Sequence, residues 1–281
     1  MKLIDSVTRM STLAGILRKE GKSIGLVPTM GYLHEGHASL IGAARKQHDS
    51  VILSVFVNPM QFGPKEDFDR YPRDLKRDAR IAAEAGADIL FHPSADEMYP
   101  QRYATYVNVE RLADGLCGSS RPGHFRGVAT VVAKLFGITR PHAAYFGRKD
   151  AQQVAVIRKM AGDLNMGVKI KVMPTVREKD GLAMSSRNAY MTERERADAA
   201  VIYRALRKAE SLVMAGQRSS RRIIAAMAQM IAGVPSVKVE YISIVDPEEM
   251  SELETVSSDA IVSVAARLGR TRLIDNIEVK G

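Results

Sequence analysis

Within residues 5–20, Val7, Met10, Leu13, Ile16 and Leu17 recur at helical spacing, and Gly21 follows as a natural stop. Ser23 to Pro28 then reads as a strand. After it, Val27-Pro28-Thr29-Met30-Gly31-Tyr32-Leu33-His34-Glu35-Gly36-His37 leads into Ala38 to Ala44, which has helical composition. Val51 to Val57 is a near-continuous apolar run, the pattern of a strand buried on both faces of a parallel sheet. Asp74 to Ala85 reads as a helix, Asp88 to Phe91 as a short strand and Val128 to Phe136 as a buried helix. Ala143 to Phe146 is strand-like, Asp150 to Ala161 helical, and Val168 to Met173 a further strand. Such alternation predicts an α/β fold: a doubly wound parallel sheet that binds ligands at the carboxyl ends of its strands.

The pattern changes after Val176. Ala197 to Ala215 and Ser219 to Ala232 read as two helices, and Val237–Val245, Ala260–Ala266 and Arg272–Val279 as three strands. Helices followed by consecutive strands predict a second, smaller α+β C-terminal domain. The expected division is residues 1–175 and 176–281, with a polar linking stretch from Arg177 to Met191. Internal repeats and low-complexity tracts are absent from the sequence.

Composition narrows the class. At 281 residues and 46% hydrophobic, the chain can bury a large core in one or two domains. The single cysteine, Cys117, excludes an internal disulfide and fits a reducing, cytoplasmic compartment. The first residues carry acid too early for a secretory signal, and no apolar run approaches the roughly 20 residues of a membrane span. The formal charge of +9 is interleaved with acids, as in Lys65-Glu66-Asp67 and Thr192-Glu193-Arg194-Glu195-Arg196. The basic cluster Arg218, Arg221, Arg222 has no aromatic neighbour for base stacking, so neither nucleic acid nor membrane is expected as a partner.

Candidate chemistry sits in two stretches. His34 and His37 lie three residues apart where a strand, a Gly-bearing turn and a helix start meet. One of them could simply cap or pack. As metal ligands they would need partners, and Cys117 and His124 are at no recognised zinc spacing. As phosphate donors they need only the helix N-terminus, so phosphate is favoured over metal. Neutral or charged, each ring can donate N–H to a phosphate oxygen. The second stretch, Lys179 to Asn188, holds Met184, Ser185, Ser186 and Arg187, and can either close on a polyphosphate or serve as an ordinary interdomain loop.

His34-Glu35-Gly36-His37 resembles the HIGH motif of nucleotidyltransferases and class I aminoacyl-tRNA synthetases, and Met184-Ser185-Ser186-Arg187 their KMSKS-like motif. With Pro28–His37, Phe56-Val57-Asn58-Pro59-Met60-Gln61-Phe62-Gly63, Arg121-Pro122-Gly123-His124-Phe125-Arg126-Gly127 and Met184–Asn188 taken together, the chain resembles the pantothenate synthetase family from about residue 20 to 195. The resemblance implies a Rossmann-like ATP- and pantoate-binding domain, with the smaller domain closing over the active site. It also implies ATP-dependent condensation of (R)-pantoate with β-alanine through a pantoyl adenylate, with release of AMP and pyrophosphate. A homodimer and Mg²⁺ follow from the same likeness.

Residue roles follow position by position from that resemblance. Met30, Gly31, Tyr32, Leu33, His34, Glu35, Gly36 and His37 would line the ATP site, with His34 and His37 the catalytic pair and His37 the usual proton donor. Gly147, Arg148, Lys149, Asp150 and Val176, with Met184, Ser185, Ser186 and Arg187, would complete it. Lys149 would reach phosphate, and Asp150 would bind ribose or cap a helix. Gln61 and Gln153 would hydrogen-bond pantoate, Gln61 also β-alanine, and Asn58 and Tyr71 would shape that pocket. Arg148 departs from the acid common in the family. For Mg²⁺ the protein ligand is unassigned, Asp78 being a candidate beside Arg77. Arg121 to Gly127 would form a flap over pantoate or a subunit contact. The competing readings are another small-molecule nucleotidyltransferase and an RNA-binding module; the two glutamines and the absence of Trp speak against them.

Overall fold

The computed structural model describes residues 1–64 and 66–281. The chain runs β1 (Lys2–Ile4), α1 (Val7–Lys19), β2 (Ile24–Thr29), α2 (Glu35–Arg45), β3 (Ser50–Val55), α3 (Leu75–Ala85) and β4 (Ile89–Phe91). It continues through α4 (Ala95–Met98), α5 (Cys117–Ser120), α6 (His124–Thr139), β5 (Ala143–Gly147), α7 (Ala151–Asp163) and β6 (Lys169–Met173). Then come α8 (Glu193–Met214), α9 (Ser220–Ala232), β7 (Val237–Val245), β8 (Ala260–Leu268) and β9 (Thr271–Val279).

Strands β1 to β6 form one parallel sheet in the order β1-β4-β3-β2-β5-β6. All six residues of β3 are buried, as its apolar run requires of a strand covered on both faces. After β4 the chain crosses to the other side of β2 to place β5, so the winding reverses between β2 and β5. A ligand crevice opens at such a switch point, and here it lies beyond Thr29 and Gly147. Strand β1 is absent from the hydrophobic pattern because it is a three-residue edge strand with Leu3 57% exposed.

Strands β7, β8 and β9 form a separate antiparallel sheet. Ile202, Leu206, Ile223 and Met227 from α8 and α9 pack with Val262 and Val264 of β8 in one core. Val245, Met250 and Ile261 instead join the large core of α6 and α7, so the small sheet is shared between both units. Each such fully buried aliphatic contributes roughly 1.5–3 kcal/mol. The six-stranded parallel sheet with helices on both faces and the separate three-stranded sheet match the expected α/β fold with a smaller α+β part.

Helix ends agree with local chemistry. Thr192 and Glu195 form a reciprocal capping box at the start of α8, which extends it four residues beyond the apolar pattern. Helix α6 likewise starts at His124, so residues 124–127 form its first turn.

Candidate active site

The loop from β2 to α2 is held from below. Gly31 and Tyr32 take positive φ angles of 86° and 52°, a conformation that suits glycine and strains tyrosine. Asp78 on α3 stabilises that turn: its two carboxylate oxygens accept from Tyr32 N at 2.8 Å and Leu33 N at 2.7 Å. Asp78 is only 1% exposed, and burial raises its pKa from the ordinary aspartate value despite those amide bonds. Both oxygens face the loop, so Asp78 anchors the backbone and does not fit the metal role considered for it. Leu33 sits in the core beside Leu40 and Ile41.

At the start of α2 the two histidines cap each other's main chain. His34 Nδ1 accepts from Gly36 N at 3.1 Å, and His37 Nδ1 accepts from His34 N at 3.3 Å. An Nδ1 that accepts from an amide carries no proton, which assigns the N–H of each neutral ring to Nε2. The ring centroids lie 4.0 Å apart. Burial, then neighbouring positive charge from Lys149 and Arg77, lowers His34 to about 4. Burial, then His34, pushes His37 well below its usual value. Both rings are therefore neutral Nε2–H donors near neutrality. The cap also uses the Gly36 amide, so part of the helix N-terminus expected to face phosphate is already satisfied, and the imidazoles present the donors instead.

The carboxamide wall is built on the turn Pro59–Gln61. Asn58 is 1% exposed and is the hub: its Nδ2 donates to Gln61 Oε1 (3.2 Å) and Gly127 O (3.1 Å), and its Oδ1 accepts from Tyr99 Oη at 2.8 Å. Gln61 Nε2 approaches Met30 Sδ at 2.9 Å, which joins this wall to the first loop. His124 Nδ1 donates to Gln61 O at 2.9 Å, while its Nε2 accepts from Arg121 at 2.9 Å. Arg121 in turn grips Glu66 through two bonds of 2.6 and 2.7 Å. Arg121 and His124 therefore brace the Gln61 backbone, while Pro122, Gly123 and Arg126 of the same segment are exposed.

Burial first, then Arg121, lowers His124 to about 4 as well. For His34 and His124 the unfolded chain takes up protons below about 6.5 while the fold stays neutral to about 4, so stability is full above that window and declines as pH falls through it. Denaturant unfolding at pH 7 and pH 5 should show a clear loss at pH 5; equal midpoints would contradict the buried neutral state.

The second motif docks on the first. Ser186 Oγ donates to Tyr32 O at 3.2 Å, and Ser185 caps its own turn by accepting from Arg187 N at 3.2 Å. Arg187 makes a two-pronged pair with Asp67, both bonds 2.9 Å. On the third side, Lys149 Nζ lies 3.7 Å from Asp150. Asn276 of β9 donates to Arg148 O at 3.1 Å and Lys149 O at 2.8 Å, so the small sheet positions that turn. Arg148 itself turns outward to Glu278 at 2.8 Å. A buried pair of Arg177 with Asp275, at 2.6 and 3.0 Å, fixes β9 to the segment after β6.

These groups line one cleft of about 220 Å³. It gathers Met30, His34, Gly36 and His37 with Gln61 and Gln153, and with Asn58 and Tyr71. Gly147, Lys149, Asp150, Val176, Met184, Ser185, Ser186 and Arg187 complete its walls. Gly31, Tyr32, Leu33, Glu35 and Arg148 lie outside its lining: the first three shape the loop, Glu35 is solvent-exposed and Arg148 points elsewhere. Gln152 shows why neighbours differ. It is buried, accepts from Cys117 N at 3.0 Å and donates to Gly115 O at 2.7 Å, whereas Gln153, one position on along α7, faces the cleft. Asp67 and Asn276 escaped the sequence reading because their partners stand 120 or more residues away.

A parallel sheet with a cleft at its switch point, walled by neutral imidazole donors and a hydroxyl–guanidinium loop, defines an α/β nucleotide-binding enzyme of the HIGH-motif kind. The family model described as pantoate-beta-alanine ligase matches residues 2–278, and the chain belongs to that family. It is 53% identical over 280 residues to a pantothenate synthetase of Heliobacterium modesticaldum, covering 100% of both chains. A pantothenate synthetase structure from Thermus thermophilus superposes with a TM-score of 0.95 at 44% identity over 100% of both chains. A Francisella tularensis pantoate-beta-alanine ligase, crystallised with Beta-gamma ATP and Beta-alanine, gives 0.82 at 36% identity, covering 99% of this chain and 97% of that one.

Proposed function

We propose that this chain catalyses the ATP-dependent condensation of pantoate with β-alanine, by way of pantoyl adenylate, to pantothenate, AMP and pyrophosphate. The observation that carries the reading is a single cleft in which the Nε2–H groups of His34 and His37, the Ser185–Arg187 loop and Lys149 face a wall formed by Gln61 and Gln153. Cationic and N–H donors suit a polyphosphate; carboxamides suit a small acid bearing hydroxyls.

In that reading a pantoate carboxylate oxygen attacks the α-phosphorus, and the bond to the β-phosphate oxygen breaks as pyrophosphate leaves. His34 and His37 stabilise the charge that develops on phosphate oxygens. Their low affinity for protons favours donation of an Nε2–H bond over full proton transfer. Gln61, oriented by Asn58, and Gln153 hold pantoate in line, and Gln61 then faces the β-alanine amine that attacks the adenylate carbonyl. The protein supplies alignment and water exclusion without a covalent nucleophile.

Among the described residues no cluster of three His, Cys, Asp or Glu side chains could hold a metal alone. Asp150 is the carboxylate of the cleft among those residues. This donor set fits a Mg²⁺ held chiefly by phosphate and water oxygens, with Asp150 at its side, and such an ion supplies charge neutralisation on the phosphates. The same reading divides the chain at residues 175 and 176, supported by the core that α8, α9 and β8 build together, although Val245, Met250 and Ile261 join the larger one. A homodimer and a cytoplasmic setting belong to it as well. Among the described residues no helix is long and apolar enough to cross a membrane.

Purified protein should form pantothenate and AMP only when ATP, Mg²⁺, pantoate and β-alanine are all present; no product from the full mixture would reject the reading. Gln153→Ala should raise KM for pantoate by ~10-fold or more and leave KM for ATP within about twofold, as loss of a hydrogen bond to a charged group implies. The reverse split would reject the partition of the cleft.

A further inference from the structure

A second cavity of about 340 Å³ adjoins the cleft and shares Lys149, Asp150, Ser185 and Arg187 with it. Its far side is the β8–β9 turn, and its rim is the segment after Gln61. Arg70, Arg121, Arg267, Arg270 and Arg272 line it in addition to Lys149 and Arg187. Charge is unevenly answered there. Glu66 pairs with Arg121, Asp67 with Arg187 and Asp150 with Lys149, while Glu240 alone serves both Arg267 and Arg272, at 2.6 and 2.7 Å. Asp275 also lines the cavity but is taken by Arg177. Among the described residues, Arg70 and Arg270 have no carboxylate within ion-pair distance. Among the described residues seven cations thus face four available carboxylates, an excess of three positive charges.

Arg70, Arg267 and Arg270 are exposed, so the excess is partly screened, yet a concave surface lined by one sign of charge raises the local potential that attracts a compact polyanion. The boundary residues include Ser185, Arg187 and Lys149, the phosphate-facing groups of the cleft. The shared lining makes this cavity continuous with the phosphate-facing side of the cleft.

We propose that the second cavity is the seat of inorganic pyrophosphate after adenylation, with Arg70 and Arg270 as its unshared binding cations. This rests on the adenylation reading for its chemistry, while the cavity's affinity is independent of turnover. When the α-phosphorus gains its bond to the pantoate oxygen, the bridging oxygen departs with its electron pair as part of pyrophosphate. The cavity holds that anion apart from the adenylate, so the β-alanine amine meets the mixed anhydride without competition from the reverse attack.

The test is calorimetric titration of the full chain with sodium pyrophosphate and, separately, with AMP. An Arg70→Gln, Arg270→Gln double variant should bind pyrophosphate at least ~10-fold more weakly and AMP within about twofold of the parent. Arg221→Gln with Arg222→Gln, on the exposed start of α9, removes the same net charge and should change neither. Unchanged pyrophosphate affinity in the first variant overturns the proposal, as does an equal loss for AMP or in the α9 control. Should the double variant not fold, Arg70→Gln and Arg270→Gln are scored singly by the same criteria, with ~3-fold as the threshold. A parent that binds pyrophosphate in this arginine-dependent way yet makes no pantothenate retains the cavity and loses the activity. A parent that makes pantothenate with arginine-indifferent pyrophosphate binding does the opposite.

Discussion

Replacing His37 by Asn should lower the rate of adenylate formation by ~10²-fold or more, as expected for removal of a preorganised donor, while leaving stability nearly unchanged. Asn places its side-chain oxygen near the position of the ring Nδ1. It can therefore keep the bond to His34 N that closes the capping box, now 3.3 Å long. It has no group at the position of Nε2, so the donor aimed at phosphate is lost. His37→Ala removes both and should add a helix-capping loss of about 1 kcal/mol to the same fall in rate. Single-turnover measurement of adenylate together with denaturant unfolding separates the two effects. An Asn variant that is slow only in the transfer to β-alanine would place His37 in the wrong step. One that keeps full rate would show that the Nε2–H group is idle.

Gly127→Ala should be strongly damaging although Gly127 lies outside the cleft lining. A Cβ at that position would stand 2.2 Å from Met60 O and 2.7 Å from Gln61 N, both backbone atoms that cannot rotate away. The first turn of α6 would have to back off from the Pro59–Gln61 turn. That separates Asn58 from Gly127 O and loosens Gln61. Overpacking of this kind costs about 1–3 kcal/mol. The expected result is a lower melting temperature together with a KM for pantoate raised more than that for ATP. Thermal unfolding and steady-state kinetics on one preparation check both. Wild-type stability would mean that the helix and turn have room which the contact distances deny.

How far the sequence reached depended on whether a feature was local. Long apolar runs such as that of β3 are decided by burial on both faces and were legible. So were α3, with its Asp74 cap and Gly86 stop, and α9, by its periodicity. The edge strand β1 has three residues and no periodicity to read. Within the site, His34 and His37 carry their own capping partners, so their neighbourhood could be inferred from eleven adjacent letters. Their tautomer could not, because it depends on which amides the rings meet. Asp78 illustrates the opposite case. A carboxylate near the site fits a metal on composition, but tertiary packing aims it at two loop amides. The outward turn of Arg148 follows from Glu278, and the placement of Lys149 from Asn276, both over 120 residues further along the chain. Nothing local encodes either contact.

In the proposed reaction a carboxylate is adenylated before the amine takes part. The most direct measurement is exchange of labelled pyrophosphate into ATP by the purified chain with Mg²⁺. Exchange should require pantoate, proceed without β-alanine and fall with the His37→Asn substitution. Exchange that needs β-alanine, or that is absent while pantothenate still forms, would contradict a free-standing adenylation step.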